Sequence, residues 1–461
     1  MVGGSDAALW RARWITLAAA FLGWMFDGVE IGLFPLVARP ALQELLADMG
    51  DADVGRWIGV ITACFLLGAA LGGLVFGWLG DRIGRVRAMV ISILMYSLFT
   101  GAGFFATTAW HLGLFRFIAS LGMGGEWAVA VALVVECWPE QYRPRLAGAI
   151  GAAANVGTLF IGVVASIFPV TADSWRWMML VGAAPAALAL LVVFFVPESE
   201  RWKASRQTAK KQPIVEIFGK GMRKRTVLAI VFSAIPLVGT WAAVSGWIPS
   251  WVEQMTQARL VAKELPGGKI ETQAGLLSGH ELNARLKEAK AQLPQETWGQ
   301  IATASARAKA NVQILLATGA VVGCFLAPLI GGWWGRRPVY FGLCVLSLLS
   351  CGWLFGHLDM SDGLTFWVVA WVVGGLTAAF YGWLPLYLPE LFPTRVRATG
   401  QGLSFNFGRI LAAVGTLYMG ELVRLLGGDY GGAMAKITLV YLLGMALIWL
   451  APETKGKPLP E

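Results

Sequence analysis

Twelve stretches of this chain stay apolar for long enough to cross a bilayer, which leaves little room for any other architecture. Crossing about 30 Å of hydrocarbon takes roughly 20 residues at the helical rise. Runs of that order occupy 14–37, 56–79, 87–107, 110–135, 146–169, 175–196, 226–250, 312–334, 338–357, 364–388, 398–420 and 433–451, numbered here as spans 1 to 12. Composition points the same way. With 57% hydrophobic and 14% charged residues over 461 positions and a mean hydropathy of +0.63, the chain has too little polar surface for a soluble globule of its length. The expected fold is an all-α membrane protein.

The spans fall into two groups of six, and the groups share one plan. Glu136, Pro139, Arg143 and Gly148 recur in the same order and spacing as Glu390, Pro393, Arg397 and Gly402, and Pro197-Glu198-Ser199 returns as Pro452-Glu453-Thr454. A repeat this long exceeds any solenoid unit and points to a duplicated bundle related by a pseudo-two-fold axis. The expected domains are 1–196, a basic linker over 197–225, and 226–461 with an insertion at 252–310 between spans 7 and 8.

Thirty-seven Lys and Arg against 28 Asp and Glu give a formal charge of +9, but the basic residues are scattered through short loops rather than gathered on a nucleic-acid-binding domain. Arg11 and Arg13, Arg82, Arg85 and Arg87, Arg143 and Arg145, Arg336 and Arg337, and Arg395 and Arg397 fall on one side; the opposite short loops hold few. By the positive-inside rule both termini are expected in the cytoplasm of a bacterial cell, with the chain in the inner membrane. The first apolar run is too long for a cleaved signal core and is expected to remain as span 1. Cys64, Cys137, Cys324, Cys344 and Cys351 show no paired spacing and read as small apolar fillers. His111, His280 and His357 are isolated, so no metal site is expected, and no cofactor-binding or hydrolytic motif is present. Energy for any work would come from an ion gradient.

The insertion reads as a helical hairpin over Glu281 to Lys309, broken at Pro294, either solvated or serving as a lid or docking surface. Gly68 and Gly72, Gly73 and Gly77, and Gly319 and Gly323 have the spacing that lets helices approach closely.

Charges inside the spans are the most informative residues. Each costs about 2.5–3.5 kcal/mol or more in lipid, so each must face the protein interior and find a use. Well inside lie Arg116 and Arg409 among the bases and Asp27, Glu30 and Glu126 among the acids. Asp27 and Glu30 are one turn apart and share a helix face. Arg409 has no acid near it in sequence. It is expected either to hold a substrate carboxylate through its fork of donors or to pair with Glu126 or another acid of the first half. Trp241, Ser245, Tyr381, Trp383 and Tyr387, with Asn406, are expected to line the pocket.

Between spans 2 and 3 the chain reads Gly77-Trp78-Leu79-Gly80-Asp81-Arg82-Ile83-Gly84-Arg85, which resembles the signature loop of the major facilitator superfamily. The second-half counterpart, Gly332-Trp333-Trp334-Gly335-Arg336-Arg337, has no acid at the place of Asp81, so the second half is not expected to repeat the charge lock in full. The Pro-Glu-Ser and Pro-Glu-Thr-Lys-Gly phrases are similar to the sugar-porter branch and its organic-anion relatives. Phe405-Asn406-Phe407-Gly408-Arg409, Phe26-Asp27-Gly28 and Gly124-Gly125-Glu126 resemble bacterial carriers of sialate, lactate and aromatic acids.

The resemblance implies a twelve-helix, two-bundle transporter, not an enzyme, working as a monomer by alternating access. It implies a cytoplasmic gate of Asp81, Arg82, Arg85, Glu136, Arg143, Glu390 and Arg397. It also implies proton coupling through Asp27, Glu30 and Glu126, with Arg116 set against Asp27. A carboxylate beside a guanidinium stays ionised, and separating the two raises its proton affinity; a permanent salt bridge is the plainer role for that pair. The expected activity is proton-coupled symport of an organic anion (sialate, a short monocarboxylate or an aromatic carboxylate). A sugar porter and a non-transporting sensor on the same scaffold are the alternatives.

Overall fold

The computed structural model describes residues 3–46, 51–168, 175–208, 213–245, 247–264, 285–286, 288–289, 291–358, 360–426 and 429–461. Every element among them is helical, and eleven are long and apolar enough to span a bilayer. The twelfth expected span is the 29-residue helix Arg397–Leu425, less apolar because its buried face carries Thr399, Gln401, Ser404, Asn406 and Arg409. Leucines, phenylalanines and tryptophans of several spans face outward, as at Phe194, Leu349 and Trp449. That surface suits lipid, where backbone groups are satisfied inside each helix and apolar side chains lose nothing by facing hydrocarbon.

Two of the breaks in the spans fall beside prolines. Span 6 is the pair Trp175–Ala183 and Pro185–Phe195, interrupted at a proline that cannot continue the hydrogen-bond ladder. In span 7, Arg223–Leu237 carries Pro236 near its end and passes into a wider π-turn, Val238–Val244. Such bulges displace side chains and recur at functional sites. Span 12 is likewise divided, into Tyr430–Thr438 and Val440–Leu447.

Where described, the insertion is largely helical: it holds the helix Ile248–Glu264, helical residues within 285–292, and an outward continuation of span 8, which runs unbroken from Gln295 to Trp334. Pro294 does end one segment and begin the next, standing at the N-terminus of that 40-residue helix. Ala258, Val261, Leu286, Ala289 and Ile301 form a small apolar core of their own there. Part of the expected hairpin, with His280, lies outside the described residues.

Glycines set how closely the helices approach. In the first half, a methyl on Gly72 would sit 1.9 Å from the Leu121 carbonyl of span 4, and one on Gly28 would sit 1.9 Å from the Ala154 carbonyl of span 5. Gly323 meets the Gly375 carbonyl of span 10 in the same way, at 2.0 Å. Between the halves, a methyl on Gly77 of span 2 would sit 2.6 Å from the Ala398 carbonyl of span 11, and one on Gly73 would sit 1.9 Å from the Asn406 amide. A methyl on Gly151 of span 5 would sit 2.5 Å from the Tyr381 carbonyl of span 10. At these glycines the two halves pack closely, with small residues against backbone or the Asn406 amide.

Candidate functional site

Two polar regions break the apolar interior. The first gathers at the end of the molecule that holds both termini, where Trp138 Nε1 donates to the Arg13 carbonyl and Arg397 Nη2 donates to the Pro460 carbonyl. Arg85, fully buried, donates to Asp81 Oδ1 at 2.6 Å, to the Gly80 carbonyl at 2.7 Å and to Glu136 Oε1 at 3.0 Å. It also crosses the seam to the Thr394 carbonyl at 2.7 Å. Glu136 takes Arg397 of the other half at 2.9 Å and the Ser199 hydroxyl at 2.6 Å. Asp81 accepts from the Ala398 and Thr399 backbone N–H groups at 3.2 and 2.8 Å and from the Thr399 hydroxyl at 2.6 Å. It thus caps the start of span 11, where unsatisfied N–H groups and the helix dipole favour a carboxylate.

The second half repeats most of this arrangement, though without a counterpart of Asp81. Arg336 is bidentate on Glu390, at 2.6 and 3.0 Å, and donates to the Gly331 carbonyl at 3.0 Å. The Thr454 hydroxyl caps Glu390 at 2.6 Å as Ser199 caps Glu136. Arg143 approaches Glu390 across the seam at 3.6 Å. The absent acid has a steric reason. A Cβ on Gly332 would meet Pro144 Cγ at 2.8 Å, and proline offers no N–H for a carboxylate to cap. Arg82 stands apart from these charges, its guanidinium 5.0 Å over the Trp78 ring.

Sequence reasoning missed Glu198 and Glu453. Glu198 accepts the backbone N–H groups of Arg85 and Val86 at 3.0 and 3.1 Å, and Glu453 accepts those of Arg336 and Arg337, both at 3.0 Å. Each helix start follows a glycine at positive φ, Gly84 at 117° and Gly335 at 106°, a conformation that L side chains rarely adopt. Burial pushes the Glu453 carboxyl up, but the surrounding backbone N–H donors outweigh it and hold the group below its ordinary value. The sequence signal was the glycine before each arginine together with the repeated Pro-Glu phrase.

The second polar region lies midway along the spans, where the charges are not fully partnered. Arg116 pairs with Glu30, not with Asp27 as expected. The Thr100 hydroxyl donates to the same Glu30 oxygen at 2.7 Å, and the rings of Phe34 and Phe65 lie 4.7 and 4.8 Å from the guanidinium. Both oxygens of Asp27 and both of Glu126 are buried without a hydrogen-bond partner among the described residues. Glu126 sits over Gly23 of span 1, close enough that a methyl there would reach its Oε1 at 2.2 Å. Asp27 feels the charges of Glu126, Arg409 and Glu30, and Tyr96 feels those of all three acids.

Arg409 approaches from the other half. Its Nη1 donates to Asn406 Oδ1 at 3.0 Å, and its guanidinium lies 5.1 Å from the Phe405 ring. No carboxylate forms an ion pair with it among the described residues. Asn406 is anchored across the seam by donating to the Gly124 carbonyl at 2.8 Å. Phe405 stacks on Trp127 of span 4, centroids 4.2 Å apart, beside Trp24. This aromatic bridge between halves was not foreseen, since nothing in sequence marks which of 22 tryptophans face each other. Arg409 and Trp241 share a cavity with Ile31, Phe65, Leu66, Met123 and Leu237. Tyr381 is half-buried, its ring edge towards Phe405. The Ser245 hydroxyl donates to the Thr240 carbonyl at 3.1 Å. Trp383 and Tyr387 lie elsewhere. Trp383 donates to the Arg336 carbonyl at 3.1 Å and Tyr387 to the Pro452 carbonyl at 2.8 Å, so both brace the charged end.

Two bundles of spanning helices, a closely packed seam and polar groups held midway along it define a membrane transport protein rather than an enzyme. The Major Facilitator Superfamily model matches residues 10–262 and a Sugar (and other) transporter model matches 312–461, and the chain belongs to the major facilitator superfamily. The stretch between the two matches coincides with most of the insertion. The chain is 26% identical over 437 residues to the cis,cis-muconate transport protein of Acinetobacter baylyi, covering 93% of this chain and 92% of that one. It is 25% identical to the sialic acid transporter NanX of Escherichia coli, covering 96% and 94%. Among solved structures, the proton:xylose symporter XylE of E. coli superposes with a TM-score of 0.66 at 18% identity, over 97% of this chain and 98% of that one, a likeness of fold.

Proposed function

We propose that this chain is a proton-coupled symporter of an organic anion, with sialate, short monocarboxylates and aromatic carboxylates as the candidate solutes. The observation that carries the reading is Arg409: a buried guanidinium facing a cavity at the seam, oriented by Asn406, with no carboxylate paired to it among the described residues. A substrate carboxylate supplies the missing partner, and the guanidinium fork can hold it bidentately. Muconate and sialic acid, named for two relatives, are both carboxylates. Asp27 and Glu126 are the proton carriers in this reading, because no hydrogen bond occupies their buried oxygens among the described residues. Glu30 and Arg116 form the fixed pair that positions them.

The charged end is cytoplasmic by the positive-inside rule, and its ion pairs form the gate. With Glu136–Arg397 and Arg143–Glu390 bridging the halves there, the pocket opens to the opposite side. Loading of anion and proton is followed by rocking of 1–196 against 226–461, with 197–225 as the tether. The test is uptake of labelled sialate, lactate, benzoate and glucose into proteoliposomes, with and without an inward proton gradient. Gradient-driven uptake of a carboxylate that Arg409→Ala abolishes supports the proposal, and gradient-insensitive uptake refutes the coupling. A sugar porter is the second reading, favoured by the sugar-transporter match over 312–461; it predicts glucose uptake that survives Arg409→Ala.

A further inference from the structure

The walls around Arg409 carry more information than its charge. The side chains that share its cavity are Ile31, Phe65, Met123, Leu237 and Trp241, from spans 1, 2, 4 and 7, with the alanines of the next turn of span 11. The guanidinium is the one charged group among them. The Asn406, Thr240 and Ser245 side chains near this wall are already engaged with the protein itself, while the Tyr381 hydroxyl beside Phe405 has no hydrogen-bond partner among the described residues. The Asn406 amide donates to the Gly124 and Gly402 carbonyls at 2.8 and 3.0 Å while its oxygen accepts from Arg409. In span 7 the Thr240 hydroxyl donates to the Thr377 carbonyl at 2.8 Å, and the Ser245 hydroxyl donates to the Thr240 carbonyl. Behind the guanidinium lies the Phe405 ring, stacked in turn on Trp127.

We propose that the site selects a monocarboxylate with an apolar body, such as an aromatic or alicyclic acid, and discriminates against polyhydroxylated acids. This rests on the anion-symport reading and narrows it. One cation in an otherwise apolar enclosure matches a ligand with one anionic group and a body that gains by leaving water. A polyol body brings several hydroxyls that must shed water against a mostly apolar wall, where the Trp241 indole N–H and the Tyr381 hydroxyl can replace only part of it. Each buried hydroxyl left without a partner lowers affinity by roughly tenfold or more. A second carboxylate has no second guanidinium in the cavity to meet it, which disfavours dianions as well.

The experiment is proton-driven uptake of individually labelled acids into proteoliposomes holding the full-length protein, at equal concentration. Benzoate and cyclohexanecarboxylate represent the apolar class, gluconate and sialate the polyhydroxylated class. Initial rates for the apolar pair are expected to exceed those for the polyhydroxylated pair by about 100-fold, two unpartnered hydroxyls at tenfold each. Equal or faster uptake of gluconate or sialate would overturn the selectivity proposal while leaving anion symport standing. Failure of all four acids to move would instead overturn the anion reading on which it rests. Placing an amide in the wall by Ile31→Asn or Leu237→Asn is expected to narrow the ratio by about tenfold in whichever variant reconstitutes. An unchanged ratio in an active variant would remove those side chains from the specificity wall.

Discussion

The charged end and the middle of this protein use the same residue types and arrive at opposite electrostatic states. At the end with the termini, Arg85, Arg336 and Arg397 each donate to a carboxylate and to at least one backbone carbonyl, and Glu136 and Glu390 each receive two arginines. Midway along the spans, Asp27 and Glu126 have no donor and Arg409 has only an amide among the described residues. A saturated network is a latch, because breaking it leaves charges stranded in a poor solvent. An unsaturated one has capacity left for something that comes and goes. In the proposed function, conformational work falls to the first region and ligand and proton work to the second.

The sharpest way to break that contrast is to remove the free guanidinium. Arg409→Ala is expected to lower carboxylate uptake at least about 100-fold, on the scale of a charge-assisted bidentate pair, with the fold intact as judged by gel filtration. Arg409→Lys should recover only part, since an ammonium cannot supply the fork. Next come the unpartnered acids. Asp27→Asn and Glu126→Gln should each abolish stimulation by a proton gradient while leaving anion exchange between loaded vesicles measurable. Glu30→Gln, which strands Arg116, should instead lower thermal stability, because it breaks a buried pair at about 3–5 kcal/mol.

At the latch, Glu136→Gln weakens the hold on Arg85 and Arg397 together. It is expected to raise reactivity of a single introduced cysteine at the charged end several-fold towards a membrane-impermeant thiol reagent. Gly332→Asp tests the asymmetry of the two halves. If Pro144 excludes a side chain there, the variant loses latch stability rather than gaining a second cap, and thermal unfolding should move down. The smallest effect belongs to Glu453. Its carboxyl is held below the ordinary value by the backbone donors of span 9, so its contribution is fully present above the unfolded value and fades as pH falls through the lower folded one. Glu453→Gln should lower stability slightly at neutral pH, where the carboxylate contributes in full, and flatten the acid limb of a stability-versus-pH profile so that the two proteins converge at low pH.

Much of the latch was legible because its residues repeat and because the loop chemistry is local. The spans were legible from apolar length alone, apart from the outward extension of span 8 beyond the hydrocarbon. The middle was less legible for a geometric reason. Asp27 and Glu30 share a helix face one turn apart, so either could meet Arg116, and a rotation or slide of span 1 that sequence does not encode locally decides between them. Trp383 and Tyr387 were expected in the pocket from their aromatic character, but depth along span 10 places them beside Arg336 and Pro452. The loss of the acid at Gly332 could not be weighed without seeing Pro144 opposite.

The central claim is that the unpartnered groups at the middle bind anion and proton as one event. Its most direct test is proton uptake by the purified protein in weakly buffered solution near neutral pH when benzoate is added. The account predicts that bulk pH rises as anion binds, because a carboxylate of the Asp27–Glu126 cluster takes a proton once Arg409 is occupied, and that Asp27→Asn and Arg409→Ala both lose the signal. Saturable benzoate binding with no proton uptake, or an undiminished signal in Arg409→Ala, would contradict it.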